Sequence, residues 1–262
     1  MRLIIFASGS TGNCALVSAG GHILIDAGIS LRRIRANLTL SGLTPEDVSG
    51  VLITHEHSDH ISGLAMLVKY HKIPVYAPAA VAAFLRGSIP GIDACLREIV
   101  PGEAFSLGDM NIRAFPTPHD VRQSVGYRIE SGAVFGFATD MGCVTEEIVS
   151  GLWGADAVVI EANHDVDMLL SGPYPAYLKR RVFSDRGHLS NEDSAALALR
   201  LAESGTRTII LGHLSRENNT PSLAVGAVRE VLSKSDREVF VCAAPADERL
   251  TVNIEERQPC FP

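Results

Sequence analysis

Three imidazoles and the carboxylate of Asp59 are packed into the hexapeptide His55-Glu56-His57-Ser58-Asp59-His60, and any fold for this chain must bring partners for them to one place. The hexapeptide follows Val51-Leu52-Ile53-Thr54, an apolar run that suits a buried strand. At strand spacing His55 and His57 fall on one side, where both reach a single cation. Asp59 and His60 come after the strand has ended, free to turn and grip a second cation, and a helix is expected over residues 62 to 71. A polar turn with hydrogen-bonded histidines is the alternative. Imidazole and carboxylate ligands suit zinc, manganese or iron far better than calcium or magnesium.

Further ligands stand at the ends of other strand-like runs. His119 follows Met110 to Phe115 and completes a set of three imidazoles for the first cation. Asp140 closes Val134-Phe135-Gly136-Phe137-Ala138-Thr139, where a carboxylate can bridge two cations. His213 follows Thr208-Ile209-Ile210-Leu211-Gly212 and would close the second cation's set. Singly, each is more often a capping or hydrogen-bonded residue; together with the opening cluster they supply five imidazoles and two carboxylates, enough for two cations and a bridging water. Asp26 ends Ile23-Leu24-Ile25 and is either a turn aspartate or a buried carboxylate that accepts the outer ring proton of a metal-binding histidine.

The order Asp26, His55-x-His57-x-Asp59-His60, His119, Asp140, His213 resembles the five-motif signature of the metallo-β-lactamase superfamily. The resemblance implies an α/β fold, the four-layer αβ/βα sandwich of that type, with two mixed sheets face to face, helices outside and the metals at one edge. It leaves the substrate open, because one scaffold hosts many reactions. Gly187-His188-Leu189-Ser190 opens a helix over Asn191 to Glu203, with Ser190 as N-cap and Asp193 in an imperfect capping box. His188 thus stands just before a helix N-terminus, where a phosphate oxygen is favoured; a solvent-facing loop histidine is the plainer alternative. The Gly-His-x-Ser element is similar to one in the phosphodiesterase branch, which includes the tRNA 3′-processing endonucleases. That similarity implies that His188 contacts the scissile phosphate or protonates the leaving oxygen.

The loop Ala7-Ser8-Gly9-Ser10-Thr11-Gly12-Asn13 has small residues that let backbone amides approach an anion, and a simple turn explains it as well. With Glu161-Ala162-Asn163-His164-Asp165, the Gly187 to Asp193 segment and Leu211 to Asn219, it closely resembles the YycJ (WalJ) group, over nearly the whole chain. Members of that group are regarded as metal-dependent nucleases that degrade DNA from the 5′ end. The resemblance therefore implies a dinuclear hydrolase holding two divalent ions (Zn, Mn or Fe) and acting on DNA through a hydroxide shared between them, with Asp59 and His188 as the catalytic pair. Ser8, Ser10, Asn13, Asn163, His164 and Arg186 are the expected substrate contacts, although His164 fits a structural role equally.

Composition sets bounds on these expectations. At 262 residues and 46% hydrophobic content the chain can bury one large core, and with no linker or repeat it reads as a single domain, 1–262. A formal charge of −7 argues against a broad basic surface. The local run Lys179-Arg180-Arg181, with Arg186 nearby and Tyr174 and Tyr177 flanking, is either a solvated face or a track for single-stranded DNA. Cys14, Cys95, Cys143, Cys242 and Cys260 have no paired spacing and read as reduced thiols. Met1 to Phe6 is too short for a signal h-region and no run approaches a membrane span, so a cytoplasmic protein with no membrane partner is expected; a homodimer stays open. A thioesterase or lactonase on the same metals is the alternative activity, and a metal-binding module without catalysis the third reading.

Strand-like segments lie near 2–6, 14–18, 22–26, 51–54, 74–76, 110–115, 125–130, 133–139, 156–161, 207–211 and 238–243. Helical patterns lie near 29–40, 62–71, 78–87, 144–150, 174–182, 190–204 and 221–233. Strand-rich segments followed by βα units suit a duplicated sandwich better than a doubly wound sheet.

Overall fold

Two seven-stranded sheets carry the fold, and each repeats one plan: a run of antiparallel neighbours followed by a run of parallel ones. A computed structural model describes residues 1–255; Cys260 lies outside the described residues, and Cys14, Cys95, Cys143 and Cys242 are free thiols. The strands are β1 (Arg2–Ala7), β2 (Cys14–Ser18), β3 (His22–Ile25), β4 (Gly50–Leu52), β5 (Val75–Pro78), β6 (Leu96–Ile99), β7 (Ala104–Leu107), β8 (Met110–Pro116), β9 (Val125–Ser131), β10 (Ala133–Ala138), β11 (Ala157–Glu161), β12 (Thr208–Gly212), β13 (Phe240–Ala243) and β14 (Leu250–Asn253). The first sheet runs β14-β1-β2-β3-β4-β5-β6 and the second β13-β12-β11-β10-β9-β8-β7. In the second sheet β7 to β10 are antiparallel and β10 to β13 parallel.

Alternation along the strands builds three apolar layers. Leu3, Ile5, Ile23 and Ile25 of the first sheet face Ile112, Tyr127, Phe135 and Val159 of the second in a shared inner core. Ile4, Phe6, Leu24 and Val51 point the other way, onto α1 (Leu31–Thr39), α3 (Leu64–His71) and α4 (Ala79–Ser88). Val158, Ile160, Ile209 and Leu211 point outward from the second sheet, onto α5 (Glu146–Leu152), α8 (Asn191–Glu203) and α9 (Pro221–Leu232), with α6 (Val166–Ser171) and α7 (Ala176–Val182) between α5 and α8 in the chain. The layers therefore run α, β, β, α. No helix among the described residues is long and apolar enough to cross a membrane.

Three strands escaped the sequence pattern: β6, β7 and β14. All are four residues long and sit at sheet edges, with no two consecutive residues buried, so they carry no apolar run; β6, for example, exposes Arg97 and Glu98. A second difference matters more for function. Strand β4 ends at Leu52, so His55 and His57 stand in a loop rather than at strand spacing, and Asp59 and His60 lie inside a short helix, α2 (Ser58–Ile61).

That loop is nonetheless held firmly. The buried Tyr127 hydroxyl donates to the Ile53 carbonyl at 2.6 Å, and Val125 N donates to Thr54 O at 3.1 Å, which ties the loop to the opposite sheet. Asn13 N donates to Asp59 O at 2.7 Å, and Ala27 N to His60 O at 2.8 Å. The backbones pack so closely that a Cβ on Gly28 would lie 1.6 Å from Asp59 O. Gly28→Ala must push α2 away and is expected to cost about 3 kcal/mol or more, read as a lowered midpoint in calorimetry.

Candidate metal centre

The ligands expected from the sequence all reach one edge of the sandwich, in the loops, and for Asp59 and His60 the short helix α2, that follow parallel strands and β8. Backbone strain aims two of them and the supporting carboxylate Asp26. Asp26, Asp140 and His213 follow β3, β10 and β12 with φ of 59°, 56° and 54°, in the left-handed region; Lys72, at the end of α3, is the other non-glycine case among the described residues. Each such residue costs on the order of 1–3 kcal/mol and persists only where the surroundings impose it.

His55 Nε2 and His119 Nε2 lie 3.1 and 3.3 Å from His57 Nδ1. Ligands about 2.0–2.1 Å from a tetrahedral zinc stand about 3.3 Å from one another, so this spacing fits a cation at their centre. Proton inventory agrees. Gly187 O, 3.1 Å from His119 Nδ1, can only accept, which makes Nδ1 the donor and leaves Nε2 as a lone pair in the neutral ring. One proton on His57 Nδ1 cannot serve both neighbours; a cation can. Burial, the largest influence on both, pulls His55 well below the ordinary imidazole range and lowers His119, which keeps them neutral as ligands.

Asp59, His60 and His213 form the second group. Asp59 Oδ2 lies 3.5 Å from His60 Nε2 and 3.4 Å from His213 Nε2. Asp140 stands between the groups: Oδ2 is 3.2 Å from His60 Nε2, and Oδ1 is 3.5 Å from His213 Nε2 and 3.9 Å from His119 Nε2. Its Oδ2 is buried without a well-formed hydrogen bond, which leaves that oxygen free to take a cation. The outer nitrogens are fixed by carboxylates. Asp26 Oδ2 accepts from His60 Nδ1 at 2.7 Å while its Oδ1 accepts from Thr54 N at 2.9 Å.

The same carboxylates control titration. Burial pulls His213 down, but Asp140, then Asp59 and Glu161, outweigh it and lift the imidazole to about 10. His60 is likewise raised well above its usual range by Asp140 and Asp26. A cation must displace the protons of both His60 and His213, so affinity at this group is expected to rise by more than tenfold, up to about a hundredfold, per pH unit between pH 7 and 9. Competition with a chromophoric chelator at three pH values measures it.

Sequence reasoning gave no role to Glu161 or Asp120. Glu161, at the end of β11 and fully buried, accepts from four donors: His188 Nδ1 (2.8 Å) and His213 Nδ1 (2.9 Å) on Oε1, and Met141 N (2.9 Å) and Leu189 N (3.3 Å) on Oε2. Burial raises its pKa, but His188 and His213 prevail and bring it down to about 2. An apolar strand ending in glutamate was the available signal. Glu161→Gln places an amide NH2 against two of those donors, and the second cation is expected to bind about 10–100-fold more weakly by calorimetric titration, with the three-histidine group unchanged. Asp120 Oδ1 lies 3.3 Å from His119 Nε2 at the exposed rim, and its Oδ2 is held by Arg181 at 2.6 Å.

His188 stacks on His213 with centroids 5.2 Å apart and a 28° interplanar angle, and its Nδ1 is committed to Glu161, which leaves Nε2 for a ligand. The expected substrate contacts fare differently. Ser8 Oγ accepts from His213 N at 2.8 Å, and Asn163 Nδ2 donates to His213 O at 2.8 Å; both steady the His213 loop. Asn13 Nδ2 lies 3.0 Å from His60 Nε2 and 3.3 Å from Asp59 Oδ2. Arg186 clamps the His119 loop through His119 O (2.8 Å) and Val121 O (2.7 Å). Ser10 is exposed, and His164 is buried with both ring nitrogens unpaired. In the basic run Lys179 turns to Leu170 O, so it does not form one track with Arg181.

A model of the β-lactamase superfamily domain matches residues 22–214. The exodeoxyribonuclease WalJ of Streptococcus pneumoniae serotype 2 (strain D39) is 38% identical over 242 residues, 90% of each chain. The exodeoxyribonuclease YycJ of Bacillus anthracis is 37% identical over 239 residues, 89% of this chain and 90% of that one. Among solved structures, the metallo-β-lactamase fold protein YhfI of Bacillus subtilis superposes with a TM-score of 0.73 at 17% identity over 96% of this chain and all of its own. With its duplicated sandwich, its edge of imidazoles and carboxylates and this likeness along nine-tenths of its length, the chain belongs to the metallo-β-lactamase superfamily, in the group of WalJ and YycJ.

Proposed function

We propose that the chain is an exodeoxyribonuclease that hydrolyses phosphodiesters of single-stranded DNA from the 5′ end and holds two divalent cations, zinc, manganese or iron. The carrying observation is the pair of ligand groups, His55/His57/His119 and Asp59/His60/His213, set on either side of Asp140. WalJ and YycJ are exodeoxyribonucleases by name, and their likeness spans the whole ligand set.

Divalent cations held there supply Lewis-acid activation of water and neutralise charge on the phosphate. The chain's own residues do the rest. Asp26 and Glu161 accept the outer protons of His60 and His213 and so present the other ring nitrogens to the centre. His188, held by Glu161 through Nδ1, offers Nε2 to the leaving oxygen or to a phosphate oxygen. Glu161 lifts His188 above the ordinary imidazole range against the opposing effect of burial, which favours the protonated, donating form.

The test is incubation with 5′-labelled and 3′-labelled single-stranded and duplex DNA and RNA, alongside bis(p-nitrophenyl) phosphate, a thioester and a lactone, with added manganese or zinc. Stepwise release of label from the 5′ end of single-stranded DNA is the expected result. Turnover of the thioester or lactone alone would overturn the proposal.

A further inference from the structure

His188 is a wall shared by the metal centre and a separate hollow of about 440 Å³, whose lining includes His164, Phe183, Asp185, Asp193 and Arg200. We propose that this hollow is a nucleobase subsite that takes the base of the nucleotide next to the scissile phosphate; the inference rests on the nuclease reading above. Three observations carry it.

The first is an unpaired aromatic polar group. His164 is 1% exposed, yet neither ring nitrogen has a hydrogen-bond partner. Burial lowers its pKa, so the ring is neutral and carries one donor and one acceptor, the pair of functions that the edge of a base presents. The second is the stacking surface. Phe183 is 57% exposed, and its ring centroid lies 6.0 Å from that of the buried His164 at 55°, so an open aromatic surface stands beside the His164 ring. Bases stack on such rings whatever their sequence. Val144 and Leu197 add apolar lining.

The third is charge. Asp185 and Asp193 line the hollow, and its one arginine, Arg200, is paired with Glu146 at 3.1 Å. Phosphate would meet net negative charge here. An uncharged heterocycle would not, and an exocyclic amine of adenine, cytosine or guanine can donate to the Asp185 carboxylate. His188 then sits between the two demands of the substrate, with the phosphate on one side and the base on the other.

The experiment pairs a base deletion with a ring deletion. Single-stranded DNA with one tetrahydrofuran abasic residue, walked along the 5′ end, is compared with intact DNA for the wild type and Phe183→Ala. Bis(p-nitrophenyl) phosphate serves as the baseless control. Removing either the base beside the cleaved bond or the Phe183 ring is expected to lower kcat/KM for DNA about five- to hundredfold. Removing both should lower it no further, because each deletes the same contact. Asp185→Ala should weaken cleavage of oligo-dA and oligo-dC more than that of oligo-dT. Equal cleavage of intact and abasic DNA by the wild type would overturn the subsite and leave the nuclease reading standing. Hydrolysis of bis(p-nitrophenyl) phosphate with no cleavage of any DNA would overturn both. Additive losses from the two deletions would assign Phe183 a structural role and end the proposal.

Discussion

Asp140→Asn is expected to lower turnover of bis(p-nitrophenyl) phosphate about a thousandfold or more and to reduce bound metal from two ions per chain to one or fewer. Asp140 is the carboxylate that touches both ligand groups, through Oδ2 to His60 and Oδ1 to His119 and His213. Asparagine keeps the volume and tolerates the left-handed backbone at φ 56°, so the fold should persist with an unchanged circular dichroism spectrum. What disappears is the charge. The two ligand groups then face each other with no carboxylate between them to hold cations together. Metal content by atomic emission and turnover on the same sample decide the matter: two retained ions with turnover within tenfold of wild type would remove Asp140 from its bridging place.

How much of this was legible in the sequence differs by kind of feature. Apolar runs such as Ile23-Leu24-Ile25 and Thr208-Ile209-Ile210-Leu211-Gly212 are buried on both faces, so they announced β3 and β12 and the polar residues after them. The edge strands β6, β7 and β14 announced nothing, because half or more of their side chains face water, at least in part. Asp26, Asp140 and His213 were recognisable by type and place, but their left-handed backbone was not, since no local pattern marks an aspartate or histidine that is forced there by tertiary contacts. Glu161 was missed for a related reason. A glutamate after Val158-Val159-Ile160 reads as a strand end, and its four donors come from three segments, Met141, His188-Leu189 and His213, that only the fold brings together. Ser8 and Asn13, read with an anion cradle, and Asn163, read as a substrate contact, have side chains that hydrogen-bond the ligand loops, a use that local sequence does not announce.

His188→Ala is expected to leave two bound ions and lower cleavage of DNA about a hundred- to ten-thousandfold, the usual worth of a positioned acid. The size of the loss should depend on the leaving group. A sugar alkoxide departs badly without a proton, whereas p-nitrophenolate is stable as an anion, so bis(p-nitrophenyl) phosphate should lose about tenfold or less. The pH profile carries the same signature. Because Glu161 raises His188, its donating form is full at low pH and is lost as pH rises through a value above the ordinary imidazole pKa of about 6.5. Wild-type DNA cleavage should therefore fall on the alkaline side of that value, and the fall should vanish in His188→Ala. Equal losses on both substrates would make His188 a phosphate ligand instead of an acid, since contact with a non-bridging oxygen is indifferent to which group departs. Unchanged cleavage with two ions still bound would take His188 out of the reaction and leave its hydrogen bond to Glu161 as support for His213 alone.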